Sequence, residues 1–261
     1  MSQVVNPMSL ACYVINLDRS PDRMERIGHE LAAHDIAYER HAAVDGRSLD
    51  LSAEPDFDAQ GYVRLHGKKP VANEVGCYLS HMGVMKRFLE TSHEHCLVLE
   101  DDALLSSDFS VVLQQVLNST AHGDLTLLYG NRRHVALTLA QLPCRRKMVG
   151  YWGKQTGAVA YLVNRKAAEA FVRHMLPMRL PLDHAFSQVW AMDIRMRGVH
   201  PFPVTTGAFE SVIGKTGEKF PLRQRLRTLR FRFASELRRY RYQLFKDKIG
   251  LEALRYWLRR A

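Results

Sequence analysis

Three consecutive acids, Glu100-Asp101-Asp102, follow directly on the apolar run Cys96-Leu-Val-Leu99. Carboxylates crowded at the end of a buried strand repel one another and lose solvation, a cost that a cation removes. In an extended segment residues two apart share a face, so Glu100 and Asp102 point one way and Asp101 the other. A hard ion such as Mg²⁺ or Mn²⁺ takes oxygens of this kind and completes its shell with water and substrate phosphates. The competing reading is a solvated acidic loop. A second polar group, Asn16-Leu-Asp-Arg-Ser-Pro-Asp-Arg23, ends the first apolar run of the chain. Arg19 and Arg23 could grip a diphosphate by forked hydrogen bonds, helped by the dipole of a helix opening at Pro21. An ordinary strand-to-helix loop with surface arginines is the alternative there.

Positioning these groups together requires particular elements. Cys12 to Leu17 has the character of a buried first strand. Ser20 is placed to cap a helix with Pro21 at its first position, and Met24, Ile27, Gly28 and Leu31 repeat at helical spacing to about His34. Ile36 to Val44 reads as a second strand, closed by the Asp45-Gly46 turn. Strand, helix, strand at this spacing implies a parallel sheet, and ligands of open α/β sheets bind beyond the carboxyl ends of the strands. Farther on, residues 50–72 read as a long loop and Glu74 to Glu90 as an amphipathic helix. Leu125 to Tyr129 and Ala158 to Val163 read as strands, Arg165 to Met175 and Asp183 to Arg197 as helices, and residues 131–153 as irregular and basic.

The chain has 261 residues, 46% hydrophobic and 25% charged, which suits a single α/β domain and excludes general disorder. Cys12, Cys77, Cys96 and Cys144 include no C-x-x-C pair, which argues against a disulfide framework or structural zinc and for a reducing compartment. Neither a signal-peptide pattern nor a run of eighteen apolar residues occurs, so a cytoplasmic protein is expected. The net charge of +10 resides in Pro221 to Ala261, where thirteen basic residues face three acidic ones. Residues 8–220 are thus expected to form the domain and residues 221–261 a basic helical tail. In that tail Leu222, Leu226, Leu229, Phe233, Leu237, Tyr240 and Leu244 form one helical stripe, with Arg223, Arg225, Arg230, Arg232, Arg238, Arg239 and Arg241 filling most of the rest. A second short helix is expected after Gly250, with Leu251, Leu254, Tyr256, Trp257 and Leu258. Such a tail suits the cytoplasmic face of a membrane, packing on the domain, or a second subunit in an oligomer. Nucleic acid is disfavoured, because no recognisable nucleic-acid module accompanies the charge.

Tyr13-Val-Ile-Asn-Leu-Asp-Arg-Ser-Pro-Asp-Arg23, Ala43-Val-Asp-Gly46, Glu74-Val-Gly-Cys-Tyr-Leu-Ser-His81 and Leu97-Val-Leu-Glu-Asp-Asp-Ala103 together resemble glycosyltransferase family 25. The later segments Gly157 to Ala168 and Pro181-Leu-Asp183 look like further motifs of that family, which includes bacterial lipooligosaccharide galactosyltransferases. The resemblance covers roughly residues 10–215. It implies a GT-A-like α/β fold with a mixed, mainly parallel sheet. The implied activity is that of an inverting β-galactosyltransferase, moving a sugar from a UDP-sugar donor to a lipid-linked saccharide of the lipopolysaccharide core. Glu100-Asp101-Asp102 occupies the place of the family's D-x-D-like motif, with Glu for the first Asp, so Asp102 and then Glu100 are the implied Mn²⁺ or Mg²⁺ ligands. Asn16, Arg19, Arg23 and Asp101 fall on the donor side.

Ser80 and His81 belong to a family-like block, where substrate contact competes with plain packing; His81 falls off the apolar stripe of its helix. A general base must take the proton of the acceptor hydroxyl, and carboxylates are the usual choice. Asp183 is the first candidate, with helix capping as its alternative, and Glu210 the second. No third metal ligand is identifiable beyond His200 as a guess. Two other classes fit the residues alone: a metal-dependent nucleotidyl- or phosphoryl-transferring enzyme, disfavoured by the absence of a P-loop pattern, and a non-catalytic membrane-surface binder.

Overall fold

The computed structural model describes residues 10–131, 135–207, 217–218, 220–221 and 225–259. The chain opens with strand β1 (Leu10–Asn16), helix α1 (Pro21–Ala32) and strand β2 (Glu39–Ala42), with β2 parallel to β1. Pro21 starts α1 as expected, although the Ser20 side chain makes no capping bond. Helices α2 (Ala59–His66) and α3 (Ala72–Leu89) lead to β3 (His95–Glu100), which pairs parallel to the other side of β1. A short β4 (Ala103–Leu105), helix α4 (Phe109–Asn118) and strand β5 (Leu125–Leu127) follow. Then come β6 (Val135–Gln141), β7 (Lys147–Trp152), β8 (Ala160–Asn164) and α5 (Arg165–Met175). Short helices α6 (Leu182–Phe186) and α7 (Val189–Met192) precede β9 (Met196–His200) and β10 (Val204–Thr206). Helices α8 (Leu226–Phe245) and α9 (Ile249–Leu258) complete the order.

The main sheet has eight strands in the order β2-β1-β3-β8-β5-β9-β7-β6. It is mixed: β1–β2, β1–β3 and β5–β9 are parallel, while β3–β8, β5–β8, β7–β9 and β6–β7 are antiparallel. The period of two in β1 sends Ala11, Tyr13 and Ile15 into a core built with α3 and α5, and Cys12 and Val14 into a core built with α1 and α4. Both faces of the sheet are therefore covered, which is why its central strands are mainly apolar.

Three stretches differ from expectation. Residues 50–72 contain α2, started by the Asp58 carboxylate accepting from Gly61 N–H and ended by Gly67 in the left-handed conformation. Residues 131–153 contain the antiparallel pair β6–β7, whose edge position lets polar residues alternate with apolar ones. The stretch from Asp183 to Arg197 is α6, α7 and the start of β9, because Asp193 turns the chain through a left-handed conformation.

The C-terminal helices dock in an inverted manner. On α8 the residues facing the domain are Thr228, Ser235, Arg239, Tyr242 and Gln243. Four of them bind main-chain carbonyls: Thr228 Oγ1 donates to Arg64 O (2.9 Å), Arg239 Nε to Ser187 O (3.0 Å), Tyr242 OH to Ile194 O (3.1 Å) and Gln243 Nε2 to Tyr151 O (2.8 Å). Arg239, expected beside the stripe on the polar surface, is only 4% exposed. Arg232 likewise donates to His66 O (2.9 Å). Between the two helices, Asp247 takes a forked pair of bonds from Arg197 of β9 at 2.6 and 2.8 Å, and Glu252 adds a third at 3.0 Å. Among the described residues no helix is long and apolar enough to cross a membrane.

Candidate active site

The parallel pairing of β1 with β3 brings the ends of both strands to one edge of the sheet, with Ile15 opposite Glu100. A cleft opens there, and Arg19, Arg23, Ser80, His81, Glu100, Asp101 and Asp102 all contribute to its walls. The chain turns sharply after Glu100, so Asp101 and Asp102 also reach the cleft, and the alternation expected of an extended segment stops at the strand end.

Asp101 is tied down. It accepts from Asn16 Nδ2 (2.7 Å) and pairs with Arg23 (2.7 Å), while Arg26 donates to its carbonyl (2.6 Å). Asn16 is 2% exposed and spends its amide on Ser20 O, Asp101 and the guanidinium of Arg40, so it fixes the acidic turn from beneath. Arg19 pairs with Asp45 across the cleft. Asp102 differs from its neighbour. Its Oδ1 is buried without a hydrogen bond, and Arg23 stands 3.6 Å from its other oxygen. Burial first, then the charge of Glu100, pushes the Asp102 carboxyl up to about 6, against the pull of Arg23. A divalent cation would fit: it would relieve the charge and occupy the unbonded oxygen.

His81 is fully buried, contrary to its place off the stripe, because α3 is enclosed on several sides by the sheet and α5. Its Nδ1 shares a hydrogen bond with Tyr161 OH (2.8 Å), and its Nε2, with no hydrogen bond, faces Glu100 at 3.4 Å. Cys77, His81 and Glu100 each offer a ligand atom within 4.8 Å of the other two. This softer set suits Zn²⁺ better than Mg²⁺, and Glu100 is common to both possible sites. Ser80 is a structural clamp that also lines the cleft: its hydroxyl donates to Gly76 O (2.7 Å) and accepts from Val44 N–H (2.8 Å). The Ala43–Gly46 turn and the start of α3 meet so closely that a Cβ on Gly76 would stand 2.5 Å from Val44 O. Two separate sequence blocks are thus one wall.

Asp183 lies in the first turn of α6, where Pro181 rather than Asp183 holds the capping position. It is not among the residues walling the cleft. Its charge acts on Tyr62, Glu74 and Cys77, and Cys77 in turn senses Glu100 and Asp102. Cys77 therefore sits between two groups of acids. Sequence reasoning missed Glu74 and Tyr62. The Tyr62 hydroxyl donates to the Glu74 carboxylate, whose pKa is raised chiefly by burial. The signal was an acid on the buried stripe of α3. Glu210 lies outside the described residues, and His200 is at the exposed end of β9, away from the cleft walls.

The profile of glycosyltransferase family 25, described as an LPS biosynthesis protein family, matches residues 9–186. A glycosyltransferase 25 family member of Aedes aegypti is 31% identical over 128 residues, 47% of this chain and 21% of that protein. Human procollagen galactosyltransferase 2 is 30% identical over 129 residues, again 47% and 21%. Procollagen galactosyltransferase 1 of Danio rerio is 27% identical over 187 residues, 66% of this chain and 30% of that protein. The two vertebrate relatives carry procollagen names where the resemblance pointed to lipooligosaccharide enzymes, and this chain spans less than a third of the length of all three. The chain belongs to glycosyltransferase family 25.

Proposed function

We propose that the chain moves a hexose, galactose in this reading, from a UDP-sugar to a hydroxyl of a lipid-linked saccharide, with inversion at the anomeric carbon. The observation that carries the reading is Asp102: a carboxylate beside two other acids, pushed up to about 6, with one oxygen lacking a hydrogen bond. The site stands beyond the carboxyl ends of parallel strands, where α/β sheets take nucleotides. Galactose is supported by the names of the relatives, and a lipopolysaccharide-type acceptor by the description of the family.

Asp102 and Glu100 would hold Mn²⁺ or Mg²⁺, which supplies Lewis-acid stabilisation of the diphosphate leaving group. Arg19 and Arg23 contribute fixed positive charge on the donor side of the cleft. Asp183 takes the proton from the acceptor hydroxyl, whose oxygen bonds to the anomeric carbon as the bond to the diphosphate oxygen breaks and UDP departs. Glu74, held by Tyr62, keeps a second carboxyl beside that base.

The test is a panel of UDP-sugars incubated with the protein and Mn²⁺, Mg²⁺ or EDTA, without acceptor. Metal-dependent release of UDP from UDP-galactose, lost in Asp102→Asn, is the expected result. No consumption of any UDP-sugar, or undiminished turnover of Asp102→Asn at limiting metal, would overturn the reading.

A further inference from the structure

The hydrophobic stripe of α8, which a packed helix would bury, faces away from the domain. Leu226, Leu229, Phe233, Leu237 and Leu244 are between 41% and 75% exposed, while the opposite, polar face makes the contacts with the sheet and with α2 and α7. Tyr240 is the exception, half-buried with its ring 5.4 Å from that of Trp152. Helix α9 continues the pattern, with Leu251, Leu254, Trp257 and Leu258 all exposed. Single exposed leucines are ordinary, but two adjoining helices that show most of their apolar side chains are not.

The charge beside this surface narrows what can cover it. Counting around α8 by the helical period places Arg227, Arg230, Arg238 and Arg241 along one flank of the stripe, and all four are exposed. Arg255 and Arg259 of α9 are exposed as well. A second copy laid on the same surface would bring arginines toward arginines, which opposes self-association. A bilayer with anionic headgroups meets both requirements: acyl chains take the leucines and rings, and headgroup phosphates take the guanidinium groups.

We infer that α8 and α9 form a docking face for an anionic membrane surface, on which the domain rests without spanning it. The polar inner face of α8 keeps the helix attached to the domain while its apolar outer face enters the headgroup region. This inference stands on the tail alone and does not depend on sugar transfer.

Co-sedimentation of the full chain with vesicles tests it. Vesicles of phosphatidylcholine mixed with phosphatidylglycerol should carry the protein down at low salt, and phosphatidylcholine alone should not. Arg230→Gln, Arg238→Gln and Arg241→Gln together should weaken binding by about 100-fold, at about 1 kcal/mol for each basic residue near such a surface. Phe233→Ser with Trp257→Ser should weaken it by more than about 10-fold, with melting temperature and solution donor hydrolysis unchanged. Wild-type protein that stays in the supernatant with both kinds of vesicle would overturn the inference. So would a dimer, seen by size-exclusion chromatography, that Phe233→Ser with Trp257→Ser dissociates while vesicle binding is absent. Because those residues lie outside the cleft, failure here leaves the donor assay standing as an independent test of the active site.

Discussion

The acidic cleft and the C-terminal helices make opposite departures from a folded protein's usual arrangement. In the cleft, carboxylates are withdrawn from water without enough positive charge to satisfy them, as the raised Asp102 carboxyl records. On α8 and α9, leucines and aromatic rings remain in water while an arginine, a glutamine and a tyrosine are turned inward. Each arrangement costs the isolated chain stability, and in the readings proposed above a different class of ligand would remove each cost: a cation with phosphates in one case, an amphipathic surface in the other. The contrast teaches that a local violation identifies the chemistry of the missing partner by its sign.

Asp102→Asn gives the widest separation of the two regions. Transfer should fall by about 10³-fold, as on loss of a central electrostatic group, with vesicle binding unchanged. Folding should respond oppositely. The Asp102 carboxyl titrates at about 6 in the folded chain against an ordinary value of 3.8, so the folded state binds this proton more tightly. The ionised group therefore opposes folding fully above pH 6, and the penalty fades toward pH 4. In EDTA at neutral pH the Asn variant should be more stable, by on the order of 2 kcal/mol; equal melting would show that the carboxylate is already compensated.

Asp183→Asn should lower turnover by about 10²-fold with donor affinity nearly unchanged, whereas Glu74→Gln should act mainly through stability. If steady-state kinetics reverse that order, Glu74 is the base. On the tail, Arg239→Ala should cost about 2–3 kcal/mol in denaturant unfolding, because it removes a buried guanidinium and leaves the Ser187 carbonyl without that donor. Phe233→Ser, on the opposite face of the same helix, should change stability by less than about 0.5 kcal/mol. Equal losses from the two changes would mean that the outer face is covered in solution.

The last expectation concerns pH. His66 and His184 meet at 5.1 Å, and burial first, then nearby lysines and Arg232, holds their pKa values at about 3 and about 2. An unfolded histidine titrates near 6.5, so only the unfolded chain gains these protons between there and about pH 3. Stability should fall with acidification below about pH 6.5 by roughly 1 kcal/mol per pH unit for each ring. His184→Gln should flatten that slope in thermal melts across roughly pH 5 to 7.

Much of the frame is legible because β1, α1, β3 and α5 are buried or amphipathic elements whose period appears in their own residues. The position of the acidic turn follows from the parallel β1–β3 pair. The hairpin β6–β7 and the break after Asp183 are not legible, since an edge strand alternates weakly and a left-handed aspartate looks like any other. Within the cleft the acids are visible, but Asn16's supporting role, the burial of His81 and the Tyr62–Glu74 pair depend on contacts between distant elements. The tail is the instructive case. Its stripe is plain from the spacing of its leucines, yet periodicity cannot tell which way a stripe faces, and here hydrogen bonds to main-chain carbonyls of the domain decide it.

The ion pair between Arg197 and Asp247 sets a limit on how this chain can be shortened. Arg197 is 1% exposed in a strand at the middle of the sheet, and its counter-charges come from the segment joining the last two helices and from α9. Truncation ahead of Asp247 would strand a guanidinium in the interior, a loss of about 3–5 kcal/mol, comparable with the whole stability of many domains. The last helices and the main sheet are therefore one cooperative unit, and a variant lacking the proposed membrane docking is better sought by repainting the outer surface of those helices than by cutting them away.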